Sequence, residues 1–163
     1  VCLYREDICQ ADPIILPQRH IVSIDGGCTL KEDGQLNALI LPEEPGGAFT
    51  CVSYDDLPTA TALADQAPSP NPLNIRWGHS RVEVLESGGE FSLCRHLETG
   101  RKIAILTDFL QEGPQGLISR DATDYRLPVR AGDTLSIIRR TGRGALVKKD
   151  GVTGWYLGPL GNS

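Results

Sequence analysis

Apolar and polar residues alternate in short runs along the first third of the chain, and each run ends at a turn signal. The runs lie at residues 20–24, 36–41 and 48–52, with glycine-rich breaks at residues 25–27 and 45–47 between them. Alternation with a period of two is typical of strands that bury one face, and glycine-rich breaks favour turns. The pattern predicts a β-meander of three strands in this part of the chain.

A second set of alternating runs follows at residues 81–85, 91–94 and 102–106, with turns at residues 87–89 and 99–100. Its order of strand, Gly-Gly and strand repeats the order in the first set. Two interpretations stay open: a degenerate internal duplication, or chance recurrence in a glycine-rich β protein.

One segment favours a helix, at residues 57–64. Asp56 could cap it, Pro58 suits its first turn, and alanines follow. The prolines of residues 67–72 then force an extended backbone. We therefore predict one short helix in a chain that otherwise forms strands.

The strongest strand and turn signals lie in residues 116–160. Four short apolar runs, which begin at Leu117, Leu135, Ala145 and Trp155, alternate with glycine-containing turns. Asp150-Gly151 between two such runs is a typical hairpin sequence. The pattern predicts a small, strongly bent antiparallel sheet or barrel.

Length and composition support an all-β fold. The chain has 163 residues, of which 40% are hydrophobic, enough for one good core or two small ones. Eighteen glycines, eleven prolines and no methionine indicate many turns and short elements. We expect a β-rich region over residues 1–115, packed against a β-barrel over residues 116–163 without a long flexible linker.

The chain also carries sequence signs of a cytoplasmic protein. No apolar run approaches the roughly 20 residues that span a bilayer, and the opening residues lack the order of a signal peptide. Five cysteines at irregular spacings do not indicate a disulfide framework. We expect reduced, mostly buried thiols in the cytosol.

Charge is distributed unevenly. The net charge is −5, but residues 1–115 hold eight basic and seventeen acidic side chains, whereas residues 116–163 hold eight basic and four acidic ones. Strand pairing near the C-terminus could bring several cations into one patch. The candidates are Arg139, Arg140, Arg143, Lys148 and Lys149.

Such a patch has two interpretations. It could bind an anionic lipid such as a phosphoinositide, an acidic peptide or a nucleic-acid backbone, although no nucleic-acid-binding motif accompanies it. It could equally be a solvated sheet edge that discourages aggregation. Trp155 and Tyr156 are adjacent, so we expect one ring to enter the core and the other to face outward as a contact residue.

Enzymatic chemistry finds little support in the sequence. Cys94, His96 and Asp108 could be assembled into a nucleophile, base and orienting group, but no recognised motif surrounds them. The chain has no CxxC or HxxxH pair for zinc and no complete phosphate-binding glycine loop. We expect a non-enzymatic protein without cofactor or metal.

Residues 116–160 resemble a Src homology 3 domain. Residues 127–133, Leu-Pro-Val-Arg-Ala-Gly-Asp, are similar to that family's Leu-Ser-Phe-Lys-Lys-Gly-Asp, and residues 134–138 follow as its next strand does. Residues 150–156 resemble its distal Asp-Gly-x-x-Gly-Tyr-Val, and Leu117 matches the leucine of its opening motif. The resemblance implies a small β-barrel of a signalling adaptor.

The residues that bind PxxP peptides in that family are absent. Ile118 and Arg120 stand at the tyrosine positions, Gly144 and Ala145 at the tryptophan pair, and Leu157 at the proline. Because the aromatic surface that stacks on proline rings is missing, ordinary PxxP recognition is not expected.

A second resemblance, to the CABIT domain of Themis-type adaptors, covers more of the chain. It rests on Leu16-Pro17, Gly26-Gly27, Leu41-Pro42, Gly47-Ala48-Phe49 and Gly132-Asp133-Thr134-Leu135. That family is predicted to be all-β and duplicated. Both resemblances imply a non-enzymatic adaptor or scaffold that binds protein partners, with an anionic ligand at the basic cluster as the alternative.

Overall fold

A computed structural model describes residues 9–162 and confirms an all-β fold. The only helical elements in this part of the chain are two 3-10 turns, Pro17–Arg19 and Thr107–Phe109. The strands, numbered in chain order, are β1 Cys9–Gln10, β2 Ile14–Leu16, β3 Ile21–Ser23, β4 Leu36–Ile40, β5 Thr50–Tyr54, β6 Thr59–Ala62, β7 Asn74–Ile75, β8 Val82–Glu86, β9 Phe91–His96, β10 Lys102–Leu106, β11 Leu110–Gly113, β12 Gly116–Ser119, β13 Ala122–Thr123, β14 Thr134–Thr141, β15 Gly144–Lys149, β16 Val152–Tyr156 and β17 Leu160–Asn162.

The largest sheet has six antiparallel strands in the order β1-β16-β15-β14-β6-β17. The hairpin predicted at Asp150-Gly151 joins β15 to β16, and both turn residues have positive φ, 49° and 71°. This geometry suits a two-residue hairpin turn, which needs residues that tolerate the left-handed region. Within residues 9–162 this sheet stays open and no sheet closes into a barrel.

Two hydrophobic cores contact opposite faces of this sheet. The first core consists of Ala60, Ala62, Leu127, Val129, Leu135, Ile137, Ala145, Val147 and Tyr156. The second consists of Leu73, Ile75, Val82, Cys94, Ile103, Ile105, Leu106 and Phe109, and Trp155 packs against it. Because successive strand residues point to opposite faces, Trp155 and Tyr156 reach different cores.

β15 shows directly that the sheet is covered on both sides. Its residues 145–148 are all buried, including the charged Lys148. A half-exposed strand would instead alternate between buried and exposed positions. The predicted picture of a basic strand at a solvated edge therefore does not hold for β15.

The predicted three-stranded meander of residues 20–52 is wrong. β3 pairs with β2, and β4 pairs with β5, as two separate hairpins. The chain after β3 does not form a strand that pairs with β3, because the backbone of Asp33 and Gly34 instead binds Lys148 on the six-stranded sheet. The second predicted meander is present as the sheet β10-β9-β8.

The predicted helix at residues 57–64 is also wrong, because residues 59–62 form strand β6 between β14 and β17. The sequence Thr-Ala-Thr-Ala alternates with period two, and both alanines are fully buried in the first core. Tertiary pairing therefore overrides the helical preference of alanine.

The predicted boundary between residues 115 and 116 falls in the turn of the β11–β12 hairpin. β6, which precedes that boundary, belongs to the six-stranded sheet together with β14 to β17. The division into two regions stays a prediction. No helix within residues 9–162 is long and apolar enough to cross a membrane.

Lys148 links the N-terminal hairpins to the six-stranded sheet. Its side chain is buried, and its Nζ donates to the carbonyl oxygens of Asp33 and Gly34 at 3.1 and 3.2 Å. The same Nζ lies 2.7 Å from a carboxylate oxygen of Asp55. A buried ammonium requires such partners, because desolvating an unpaired charge is very unfavourable.

We predict that Lys148→Met lowers the free energy of unfolding by about 3–5 kcal/mol, because it leaves the Asp55 carboxylate unpaired in a largely buried position. Urea unfolding measures the change. Arg140→Met is the matched control: that side chain is exposed, so its effect stays within about 0.5 kcal/mol. Equal losses for the two variants would contradict the role of Lys148.

Asp133 provides a pH-dependent contact beside the same strand. A hydrogen bond from the Arg130 backbone N–H and then the Lys149 ammonium, 2.9 Å away, hold the pKa of Asp133 below its ordinary value. A carboxylate with a depressed folded-state pKa stabilises the fold above its unfolded pKa, about 3.9, and this stabilisation is lost as the pH falls through the folded value.

Asp133→Asn should therefore lower the unfolding free energy at pH 7, and the difference from the parent chain should vanish in acid below the folded pKa of Asp133. Thermal unfolding across this pH range measures it. Asp150→Asn is the control, since Asp150 lies farther from Lys149, at 3.8 Å. A difference that persists unchanged in strong acid would refute the electrostatic origin.

Candidate interaction site

A cleft of about 840 Å³ opens on the face of the six-stranded sheet that carries Leu146 and Thr153. We call it the Trp77 cleft. One wall is the loop from Leu30 to Asp33, and the other is formed by residues 74–79 and 120–123. Ligand sites in proteins are typically concave and of this size.

The floor of the Trp77 cleft is mainly apolar. Ile138 and Leu146 from the sheet, together with Phe109 and Ile75 from the second core, line it. β14 has a bulge between Ile137 and Arg139, where two residues of this strand oppose one on β15. Alternation from the buried Ile137 places Ile138 toward the cleft, and the bulge brings Arg139 to the same face, opposite Leu146.

Trp77 stands at the rim and is 92% exposed. It lies in the tight turn of residues 76–79, where the His79 N–H donates to the Arg76 carbonyl and Gly78 has φ of 88°. Exposing a large aromatic side chain to water is unfavourable, and tryptophan in such a position is typical of contact residues.

Two ion pairs join the walls of the cleft. Lys31 pairs with Asp121 and Arg120 pairs with Glu32, each at 2.5 Å. Each wall thus carries one basic and one acidic residue side by side, and each of them pairs with the opposite charge on the other wall. Single exposed pairs contribute little, but together they fix the position of the loop relative to the opposite wall.

Phe109 is held between cations at the floor. The guanidinium carbons of Arg120 and Arg139 lie 5.0 and 5.2 Å from its ring centroid. These distances suit cation–π contacts. The cleft therefore combines an apolar floor with guanidinium groups that are already engaged.

The sequence-predicted basic cluster is divided between two faces of the sheet. Cross-strand pairing places Arg139 beside Leu146 on the cleft face, which Lys148 shares, whereas Arg140 pairs with Ala145 on the opposite face. Lys149 shares the face of Ala145, by alternation along β15. The structure therefore does not bring the five cations into one patch.

Three of these cations have carboxylate partners. Arg139 pairs with Asp108 at 2.6 Å, Lys148 with Asp55, and Lys149 with Asp133. Arg143 lies over the Phe91 ring, 5.0 Å from its centroid, and Arg140 is exposed. An anionic ligand of the cluster would therefore have to compete with these carboxylates for three of the five cations.

Trp155 and Tyr156 both make internal contacts. The Trp155 Nε1–H donates to the Thr123 carbonyl at 2.8 Å, and its ring lies 5.6 Å from that of Phe91. Tyr156 is fully buried, and its hydroxyl donates to the Ala64 carbonyl at 2.9 Å. Tyr156 is the ring that enters the core, as expected, whereas Trp155 is half-buried against the second core.

Cys94, His96 and Asp108 do not form a hydrogen-bonded triad. Cys94 is buried, with its Sγ 3.8 Å from the Ser92 carbonyl oxygen, and Asp108 pairs with Arg139. The His96 ring nitrogens contact the Thr99 hydroxyl and the His79 carbonyl. Within the described chain, no group of three or more His, Cys, Asp or Glu residues is arranged to hold a metal ion.

The sequence analysis missed the residues of the Trp77 cleft. The Gly78 that follows Trp77 is a local signal for a turn. No pattern in the sequence indicates that the loop at Leu30 faces residues 120–123. Long-range contacts of Lys148 and Thr153 and the two ion pairs hold that wall in place.

The chain matches no family model, no curated protein and no solved structure. The resemblances to the Src homology 3 and CABIT families therefore rest on their sequence motifs alone.

Burial raises the pKa of the Cys94 thiol, so the reactive thiolate form is disfavoured at neutral pH. Cys28 and Cys51 are exposed, contrary to the expectation of mostly buried thiols. In a Cys2→Ser, Cys9→Ser background, we predict that a maleimide labels Cys28 and Cys51 in the folded chain and Cys94 only after unfolding. Mass spectrometry of the labelled peptides measures this, and rapid labelling of Cys94 in the folded chain would contradict its burial.

Proposed function

We propose that this chain is a non-enzymatic protein–protein interaction module of a cytoplasmic signalling adaptor or scaffold. Its C-terminal region would be a Src homology 3-like scaffold that does not use a PxxP groove. The observation that carries the proposal is the exposed Trp77 at the rim of an apolar cleft. A partner would insert an apolar side chain over Leu146 and Ile138 and cover the indole.

The chemistry of the cleft favours a peptide segment over a small charged ligand. Its floor is apolar, and four of the charged side chains at its walls pair with each other, as Lys31–Asp121 and Arg120–Glu32. Protein interfaces combine an apolar centre with a polar rim in this way, and tryptophan is enriched among the residues that dominate their binding energy.

An anionic ligand at the basic cluster is the alternative. It has less support, because Arg139, Lys148 and Lys149 already pair with carboxylates. Arg140 and Arg143 remain as exposed cations. Binding to phosphoinositide vesicles that is lost on Arg140→Glu with Arg143→Glu, and that weakens with salt, would favour this alternative.

Peptide selection tests the proposal. Peptides selected from a random display library on the purified chain should carry a bulky apolar side chain. Their affinity should fall at least about thirtyfold on Trp77→Ala, as for a dominant interface tryptophan. Fluorescence anisotropy of synthetic peptides gives the affinities.

Leu97→Ala is the matched control, because Leu97 is an exposed apolar residue that does not line the cleft. This variant should bind the selected peptides as the parent chain does. Recovery of no binding peptide, or equal binding by the Trp77→Ala variant, would refute the cleft as the interaction site.

A further inference from the structure

The β4–β5 hairpin presents apolar side chains to solvent on one face. Its cross-strand pairs are Leu36 with Tyr54, Ala38 with Val52, and Ile40 with Thr50, and paired residues share a face. Leu36, Ile40, Val52 and Tyr54 are 60%, 50%, 56% and 65% exposed. We call the surface of Leu36, Ala38, Ile40, Val52 and Tyr54 the outer hairpin face.

Polar contacts hold the opposite face of the hairpin against the protein. Asn37 is buried, and its side-chain amide donates to the carbonyl oxygens of Ala11 and Ile24. Its Oδ1 accepts hydrogen bonds from Gln35 and Ser53 at 2.8 and 2.7 Å. On this opposite face only Asn37 is buried, whereas Cys51 and Ser53 on β5 are exposed. The hairpin is thus held by polar contacts of Asn37 and leaves its most apolar face in solvent, which the hydrophobic effect alone does not favour.

The contacts of Asn37 determine which face of the hairpin points to solvent. Turning the hairpin over would leave the Asn37 amide and the carbonyl groups of residues 11 and 24 without their partners, at a substantial desolvation cost. The apolar face therefore stays exposed in the free chain. Contiguous exposed apolar surface of this kind is typical of an interaction site.

Exposed acidic residues lie at both ends of the outer hairpin face. Residues 32–75 contain seven acidic and no basic side chains, of which Glu32 and Asp55 pair with Arg120 and Lys148. Glu43 and Glu44 lie at the loop end of the hairpin, both exposed, and form no ion pair with any residue of the described chain. Asp56 lies at the other end, where it accepts a hydrogen bond from the Tyr54 hydroxyl at 3.1 Å.

The titration of Tyr54 agrees with this acidic environment. The hydrogen bond to Asp56, followed by the charges of Asp56 and Asp55, raises the pKa of the Tyr54 phenol. A tyrosine phenol is already neutral at physiological pH at its ordinary pKa, so Tyr54 adds no charge to the outer hairpin face.

We propose that the outer hairpin face binds an apolar segment of a partner protein that carries lysine or arginine at both ends. The apolar side chains of this segment would cover Leu36, Val52 and Tyr54. Its cations would approach Glu43 and Glu44 at one end and Asp56 at the other. This surface shares no residue with the Trp77 cleft, so the inference does not depend on the function proposed for the cleft.

A second copy of the chain fits this surface less well. Two outer hairpin faces in contact would bring an apolar surface with an acidic border against an identical acidic border. Like charges brought together at an interface disfavour association. The charge pattern therefore selects a different partner with the opposite sign.

Two synthetic peptides test the proposal. Both form an amphipathic helix with the same leucine face, and they differ only in their flanking residues, which are lysines in one and glutamates in the other. We expect the full chain to bind the lysine-flanked peptide at least about tenfold more tightly, as measured by fluorescence anisotropy. The preference should shrink at about 1 M salt, where the Debye length is about 3 Å.

Two variants locate the binding site. Leu36→Ser with Val52→Ser should weaken binding of the lysine-flanked peptide at least about tenfold, and Glu43→Lys with Glu44→Lys should remove most of the preference between the peptides. Leu97→Ser is the control that should bind as the parent chain does, because Leu97 is an exposed apolar residue that belongs to neither surface. Thermal unfolding verifies that each variant is folded.

Three results would overturn the proposal. The first is failure of the lysine-flanked peptide to bind, or equal affinity for the two peptides. The second is unchanged affinity in the Leu36→Ser, Val52→Ser variant when this variant is folded. The third is a dimer of the free chain, seen by sedimentation, that the same variant converts to a monomer, because a second copy would then be the occupant.

Discussion

The buried ammonium group of Lys148 joins the loop before β4 and the segment after β5 to the six-stranded sheet. It points from the centre of the six-stranded sheet to the backbone of Asp33 and Gly34 and to the carboxylate of Asp55. Thr153 on the neighbouring strand adds a hydrogen bond from its hydroxyl to Asp33 at 2.6 Å. Because a buried charge must keep its partners, these contacts fix the loop that forms one wall of the Trp77 cleft and the connection that leads into the β4–β5 hairpin.

Covering the sheet on both faces determines where binding surfaces can lie. Tyr156 belongs to the first core and Trp155 packs against the second, so the aromatic side chains of β16 are occupied internally. Exposed apolar surface remains where loops and hairpins extend beyond the cores, at Trp77 and on the outer hairpin face. A rigid scaffold with interaction residues on its projections is a common arrangement in binding proteins.

The sequence predicts the local structure well where turn chemistry and strand period agree. Asp150-Gly151 specifies its hairpin, and the alternating runs of residues 81–106 form the expected three strands. The sequence does not predict the local structure where contacts between residues far apart in the chain determine it. The alanines of β6 favour a helix locally, yet β6 pairs with β14 and β17 and both alanines are buried in the first core.

The candidate surfaces were harder to predict for the same reason. Lys148 and Lys149 are adjacent and chemically alike, but alternation along β15 sends one into the interior and the other to Asp133. A cluster of cations in the sequence thus becomes a set of separate internal ion pairs. The exposure of Leu36, Val52 and Tyr54 depends on which face Asn37 occupies, and that depends on carbonyl groups of residues 11 and 24.

Amide hydrogen exchange, compared between the parent chain and the Lys148→Met variant, tests the central role of this ammonium group most directly. The Gly34 and Gln35 amides donate to the carbonyl oxygens of Lys31 and Gly26 within the anchored loop. The account predicts that exchange in residues 26–37 accelerates at least about tenfold, while the amides of β9 and β10 keep their protection. Unchanged exchange in residues 26–37, or an equal acceleration throughout the chain, would contradict it.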